Sequence, residues 1–185
     1  MTRNSSKRSV VLLLLLALVL ITPISASADT LNVRAVKQAK SNWCWAACAE
    51  MLGCYEEPGS TRSQWDVVMH VTGSTDNVPG SAEDAAVGAA FVCYNTSSFA
   101  ATHRAFSKAA IKNMIDNTGN PLIVGIVWVD RDGYPVAGHM MVIAGYDDGQ
   151  VMIIDPWDRS TRWMDYQDLL YFEGGYYLDT VCSNS

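Results

Sequence analysis

Gln38-Ala-Lys-Ser-Asn-Trp-Cys44-Trp45 is the stretch that decides how this chain is read, because it sets an amide six residues before a thiol at the mouth of a helix. The segment continues Ala46-Ala-Cys-Ala-Glu-Met-Leu52, rich in helix formers, and meets Gly53, a natural residue to follow a helix end. Ser41 or Asn42 can act as N-cap, which puts Cys44 in the first turn. There the macrodipole, roughly half a positive charge, favours a thiolate, the form of cysteine that attacks a carbonyl carbon. Gln38 lies just outside the helix, so its side-chain amide can point back over the sulfur. With the backbone N–H of Cys44 it would form a two-donor oxyanion hole, in which one donor is worth on the order of 3 kcal/mol. Taken alone, Gln38 reads equally well as a solvated polar residue.

Downstream, Leu122-Ile-Val-Gly-Ile-Val-Trp-Val129, Gly138-His-Met-Met-Val-Ile-Ala-Gly-Tyr146 and Val151-Met-Ile-Ile-Asp155 are short apolar runs rich in β-branched residues and bounded by turn signals, so they are expected to be buried strands. Between the last two, Asp147-Asp148-Gly149 suits a three-residue hairpin loop with glycine in the left-handed position. That register pairs Tyr146 with Gln150 and Met141 with Asp155, and puts His139 and Asp155 on one face of the sheet. A two-residue loop would put them on opposite faces.

The three histidines carry unequal weight. His70, in Trp65-Asp-Val-Val-Met-His-Val71, reads as a helix-surface or satisfied core residue, and His103, in Ala101-Thr-His-Arg104, as an exposed one. His139 stands alone among apolar residues at the start of a strand, where a buried imidazole needs partners for both nitrogens. Asp155 ends an apolar strand, and its bland alternative is a structural Asp-Pro turn. Trp157 would cover a His139–Asp155 hydrogen bond.

In the order Gln38, Cys44, His139, Asp155, with a tryptophan after the thiol, Gly138 before the histidine and Trp157 two residues beyond the aspartate, the chain resembles the papain-like cysteine peptidases. Asn42-Trp-Cys-Trp-Ala-Ala47 and Asp155-Pro-Trp157 resemble the compact bacterial branch related to bacteriocin-leader-processing peptidases, in which the third residue is Asp. The resemblance implies Cys44 as nucleophile, His139 as general base and acid, Asp155 as its orienting carboxylate and Gln38 as oxyanion donor. It implies a protein or peptide substrate and no cofactor or metal. The bacteriocin-processing enzymes are usually fused to a transporter, so their double-glycine leader specificity is not carried over.

The first residues read as a secretory signal: basic Arg3, Lys7 and Arg8, an apolar run from Val10 to Ile21, and Ala26-Ser-Ala28 as cleavage site. Twelve apolar residues are too few for a bilayer, which takes about 20. Residues 29–185 are therefore expected to form one exported domain, extracellular or periplasmic, monomeric and without a stable membrane anchor. Loss of residues 1–28 takes the chain from 13 basic against 19 acidic residues to 10 against 19, a formal charge of −9. That balance repels phosphate backbones and excludes nucleic acid as the expected partner.

Five cysteines in an exported chain leave one over, and Cys44 is the candidate reactive thiol. Cys48, Cys54, Cys93 and Cys182 allow three pairings, with Cys54 to Cys93 as one guess, while Cys48 reads equally as a small packing residue. A zinc site is disfavoured because these spacings are not those of structural zinc. Helices are expected over 61–71, 81–92 and 107–117, with a turn-rich loop at 72–80 and an irregular stretch or strand at 94–104. Trp128, Trp157, Trp163, Tyr166 and Tyr171 read as core and cleft wall. Helices precede strands, which indicates an α+β fold, papain-like in its two halves: a helical half carrying Cys44 and an antiparallel sheet half carrying His139, with the site between them. Hydrolysis of peptide bonds is the leading expectation. Acyl transfer or amide hydrolysis by the same residues, and a disulfide-stabilised binding module with a vestigial site, are the alternatives.

Overall fold

The computed structural model describes residues 29–184; the expected signal at 1–28 lies outside them. The chain forms helices α1 (Cys44–Glu56), α2 (Gln64–Thr72) and α3 (Ala82–Val92), then α4 (Lys108–Lys112), which runs into a π-helical turn over Asn113–Thr118, and α5 (Tyr166–Leu170). Seven strands, β1 (Asp29–Thr30), β2 (Phe99–Thr102), β3 (Leu122–Val129), β4 (Pro135–Asp147), β5 (Gln150–Asp155), β6 (Ser160–Asp165) and β7 (Tyr176–Ser183), make one antiparallel sheet. Their order is β2-β7-β3-β4-β5-β6, with β1 paired to the end of β4. The helical half precedes the sheet half, as expected for the α+β class.

Side chains alternate across the central strands, so the sheet buries both faces. Ile123, Val142, Ala144 and Ile154 pack with α1, α2 and α3. Val124, Met141, Ile143 and Ile153 pack with Ile111, Ile115 and Leu169 on the other side. Each large aliphatic side chain buried this way contributes about 1.5–3 kcal/mol, and this double-sided core holds β4 and β5, which carry His139 and Asp155.

Helix α1 differs from the sequence expectation at both ends. Its N-cap is Trp43 rather than Ser41 or Asn42, it has no side-chain capping bond, and Cys44 is its first residue. At the other end it runs through Gly53 to Glu56. A Cβ on Gly53 would lie 2.4 Å from the Val92 Cβ, so this glycine lets α1 and α3 cross closely instead of ending the helix. The capping box expected at Ser81 is present, with Asp84 N–H donating to Ser81 Oγ and Ser81 N–H to Asp84 Oδ2.

The β4–β5 hairpin reaches the expected register by a different route. Asp147 pairs with Gln150 across a two-residue turn whose members, Asp148 (φ 38°) and Gly149 (φ 92°), both take positive φ, the requirement of a type I′ turn. A bulge between Ile143 and Gly145 then adds one residue to β4, so that Val142 pairs with Ile154. The shift offsets the shorter turn, and His139 and Asp155 share a face after all. His139 sits well inside β4 rather than at its start.

All five cysteines are free in this structure, and none of the expected disulfides is formed in it. The Cys54 sulfur accepts a hydrogen bond from Arg34 at 3.5 Å. The Cys93 thiol donates to the carbonyls of Ala90 (3.3 Å) and Ser97 (3.5 Å), and Cys182 packs at the edge of the second core. Each sulfur is engaged by its own surroundings. Of the aromatics expected in the core and cleft wall, Tyr166 is buried, Trp163 and Tyr171 are exposed, and Trp157 is exposed at the cleft rim.

Candidate active site

Cys44, at the first position of α1, lies beside His139 of β4. The His139 Nε2 is 2.8 Å from Asp155 Oδ1, with the two side chains 14% and 11% exposed. Because Nε2 is engaged by Asp155, Nδ1 is the nitrogen left for the hydrogen bond that His139 shares with Cys44. Burial, the largest influence on His139, favours the neutral ring, but hydrogen bonds and charge from Asp155 and Cys44 outweigh it and raise the pKa to about 9. Asp155 is pulled upward by burial too. The His139 bond, the backbone N–H of Trp157 at 2.9 Å and the charges of His139 and Arg162 together hold its carboxyl below the ordinary value.

The Trp157 ring is 61% exposed and stands at the cleft rim, so its firm contribution to Asp155 is the backbone N–H rather than a hydrophobic cover. Arg162 Nη2 lies 3.6 Å from Asp155 Oδ2. Cys48 is fully buried one turn below Cys44, and its pKa is pushed well up, first by burial and then by its electrostatic interaction with the neighbouring Cys44 and Asp155. It is therefore a neutral packing thiol.

Gln38 is 8% exposed, and its backbone N–H donates to the Pro156 carbonyl at 2.8 Å. Its side-chain Nε2 donates to the carbonyls of Lys40 and Ser41, each at 2.9 Å. Both amide hydrogens thus have acceptors in this resting arrangement. The turn that receives them is held from residues 76–78. Asn77 accepts from Asn42 N–H at 2.9 Å and donates to Ser41 Oγ at 2.8 Å, while the Trp43 and Trp45 indoles donate to the carbonyls of Asp76 (2.9 Å) and Val78 (3.3 Å). The two tryptophans around Cys44 thereby anchor the start of α1.

Two hollows meet at His139. One, of about 580 Å³, is lined by Cys44, Asn42, Gly80, Val127 and Ala137. The other, of about 720 Å³, is lined by Trp128, Asp155, Trp157, Arg162 and Glu173. Ser41, Gly138 and His139 border both, so the cleft extends to either side of the imidazole. His103 bridges Glu83 (3.0 Å) and Asp179 (2.9 Å) at the edge of the first hollow, and His70 lies elsewhere, stacked on Phe91.

Sequence reading missed the buried polar residues behind the cleft. Glu50 (7% exposed) and Gln64 (6% exposed) hydrogen-bond to each other and onward to Arg34, Lys37 and Ala39. The signal for Glu50 was a lone acid inside the apolar run of α1; Gln64 and Asn77 offered none.

No curated protein matches the sequence. Among solved structures, a C39-like peptidase from Bacillus anthracis superposes with a TM-score of 0.62 at 15% identity, over 86% of this chain and 98% of that one. A double glycine motif protease from an AMS/PCAT transporter, solved with its leader peptide, gives 0.57 at 14% identity, over 85% and 95%. These likenesses support the papain-like fold. The model of the Peptidase_C39 like family matches residues 30–184, nearly all of the described chain, and the protein belongs to that family of cysteine peptidases.

Proposed function

We propose that this protein is an exported peptidase that cleaves peptide bonds through a thioester on Cys44, with His139, Asp155 and Gln38 completing the site. The observation that carries the reading is the contact of His139 with both Asp155 and Cys44, which keeps the imidazole protonated up to about pH 9. An imidazole protonated on Nδ1 beside the sulfur is placed to stabilise the thiolate as it forms and to hand its proton to the leaving group.

In the first step the Cys44 sulfur adds to the scissile carbonyl. The new oxyanion meets the backbone N–H of Cys44, one of the first-turn groups for which a helix has no acceptor of its own. Gln38 supplies the second donor by exchanging its bond to the Ser41 carbonyl for one to the oxyanion. His139 then passes its Nδ1 proton to the leaving amine, and the thioester remains. Now neutral, His139 takes a proton from water, which attacks the thioester and releases the acid. Asp155 keeps the ring oriented and stabilises its charged form throughout. A cleft open on both sides of His139 suits an extended peptide, and a structural neighbour was solved with a leader peptide in place. Export is proposed from the basic, apolar and Ala-Ser-Ala pattern of residues 1–28.

The test is to incubate residues 29–185 with a proteome-derived peptide library and sequence the products. New N-termini that depend on Cys44, and disappear in Cys44→Ala, are expected. Joined peptides in place of new N-termini, or no Cys44-dependent product, would overturn hydrolysis.

A further inference from the structure

Gln38 is gripped on both sides by one side chain. Gln64, the first residue of α2, accepts the Ala39 N–H on Oε1 at 2.7 Å and donates from Nε2 to the Lys37 carbonyl at 2.9 Å. The peptide groups flanking Gln38 are thus both bound to a single buried amide. Gln64 is fixed in turn: its backbone N–H donates to Glu50 Oε2 at 2.7 Å, and Glu50 Oε1 pairs with Arg34 at 3.0 Å. Glu50 belongs to α1, the helix that begins at Cys44.

A buried carboxylate is costly unless it is paired and hydrogen-bonded, and packing offers no reason for an acid in that run of α1. The chain of bonds from Glu50 through Gln64 to Lys37 and Ala39 does. It ties the helix bearing the thiol to the segment bearing the amide, through Glu50 and Gln64, which stand 14 positions apart in sequence. A third anchor, Gln38 N–H to Pro156, links the same segment to the neighbour of Asp155. With its main chain held at three points, Gln38 keeps freedom only in its side chain, whose Oε1 is buried with no partner among the described residues. An amide with one committed end and one orphaned end can turn at small cost when a better acceptor arrives.

We infer that Gln64 is a positioning residue for oxyanion stabilisation: held by Glu50, it sets the register of Gln38 relative to Cys44. The inference rests on the proposed roles of Cys44 and Gln38. It predicts that Gln64 matters for reactions of Cys44 that pass through an oxyanion, and not for those that do not.

Two reagents separate these cases without knowledge of the natural substrate. p-Nitrophenyl acetate acylates a thiolate through a tetrahedral oxyanion, whereas iodoacetamide alkylates it by displacement with no oxyanion. Both rate constants are measured at Cys44, the first after subtraction of Cys44→Ala and the second by mass mapping of the labelled residue. Gln64→Met, close in size but unable to make either bond, is expected to lower acylation about 10-fold or more and to leave alkylation within about twofold. Gln38→Ala should lower acylation about 100-fold, the loss of one donor. The double variant should react no more slowly than Gln38→Ala alone, because Gln64 acts through Gln38.

Parallel falls in both rates, unchanged acylation, or additive losses in the double variant would each overturn the inference and reduce Gln64 to a structural tether. If Gln64→Met does not fold, Gln64→Glu keeps the bond from Ala39 and loses the one to Lys37, and a selective fall in acylation is again required. A wild-type protein in which Cys44 reacts with neither reagent above the level of a free thiol would overturn the underlying reading and this inference with it.

Discussion

His139 and Asp155 meet at 2.8 Å because two irregularities in one hairpin offset each other: the two-residue turn at Asp148–Gly149 removes a residue from the loop, and the bulge before Gly145 adds one to the strand. A regular ladder from that turn would send the two side chains to opposite faces. The bulge is therefore as much a part of the site as the residues it brings together. Replacing Asp155 with Ala should lower kcat/KM on any cleaved peptide about 100-fold, at the low end of what a positioned acid–base group supplies. Asp155→Asn keeps an oxygen that can accept the Nε2 proton, and should retain activity within about 10-fold of wild type. Equal losses in the two variants would show that charge, not orientation, is what Asp155 provides.

The raised pKa of His139 sets an alkaline limit. The ring titrates at about 9 in the folded protein against an ordinary value of 6.5, since Asp155 and Cys44 overcome the opposing effect of burial. Between those values the folded state holds a proton that the unfolded chain does not, so stability falls as pH rises. The contribution is complete below about pH 6.5 and lost through about pH 9. Acylation by peptide should decline over the same upper range, because the acid that protonates the leaving amine is being titrated. Melting curves at pH 6 and pH 9.5 for wild type and His139→Ala check the sign: the wild type must lose more on going alkaline. An identical loss in both would detach the effect from His139.

Much of this architecture was legible because apolar runs with sharp boundaries leave few choices. The expected bounds of β3 match at both ends, since Leu122–Val129 is uninterrupted and flanked by Pro121 and Asp130. β6 and β7 were not anticipated: Ser160–Asp165 is half exposed along its length, and Asp179 and Thr180 break the apolar pattern of Tyr176–Ser183. Ala144 looks like any small strand residue, so nothing marked the bulge beside it. Cys44, His139 and Asp155 could be named because each departs from its local pattern, and Gln38 because it stands six residues before the thiol. The turn contacts of Asn77 and the grip of Gln64 on residues 37 and 39 depend on distant parts of the chain, and a polar residue in a loop or at a helix start carries no sign of what it will bind.

Gly53 tests the crossing of α1 and α3 apart from the chemistry. A Cβ there would fall 2.4 Å from the Val92 Cβ and 2.7 Å from the Ala89 carbonyl oxygen, and backbone cannot yield as a flexible side chain does. Helix propensity alone would make Gly53→Ala stabilising by about 1 kcal/mol. Overpacking at a close crossing costs about 1–3 kcal/mol and should win. Gly53→Ala is thus expected to melt several degrees below wild type, and Gly53→Ala combined with Val92→Ala to recover part of the loss. A higher melting temperature for the single variant would mean that the helices separate freely.

The free thiols lead to a prediction that sets the folded chemistry against the expected compartment. Cys54 faces Arg34, Cys93 bonds to two carbonyls of its own segment, and Cys48 is sealed beneath Cys44. None of the five is bonded to another. Protein kept under oxidising conditions and denatured without reductant should therefore show five reactive thiols by colorimetric titration, and its melting temperature should not change when reductant is added. A disulfide closing the loop between Cys54 and Cys93 would contribute about 3–4 kcal/mol on chain-entropy grounds, a difference such melting curves resolve. Three thiols and a reductant-sensitive midpoint would show that a disulfide forms under oxidising conditions, and the local hydrogen bonds of Cys54 and Cys93 would then be features of the reduced protein alone.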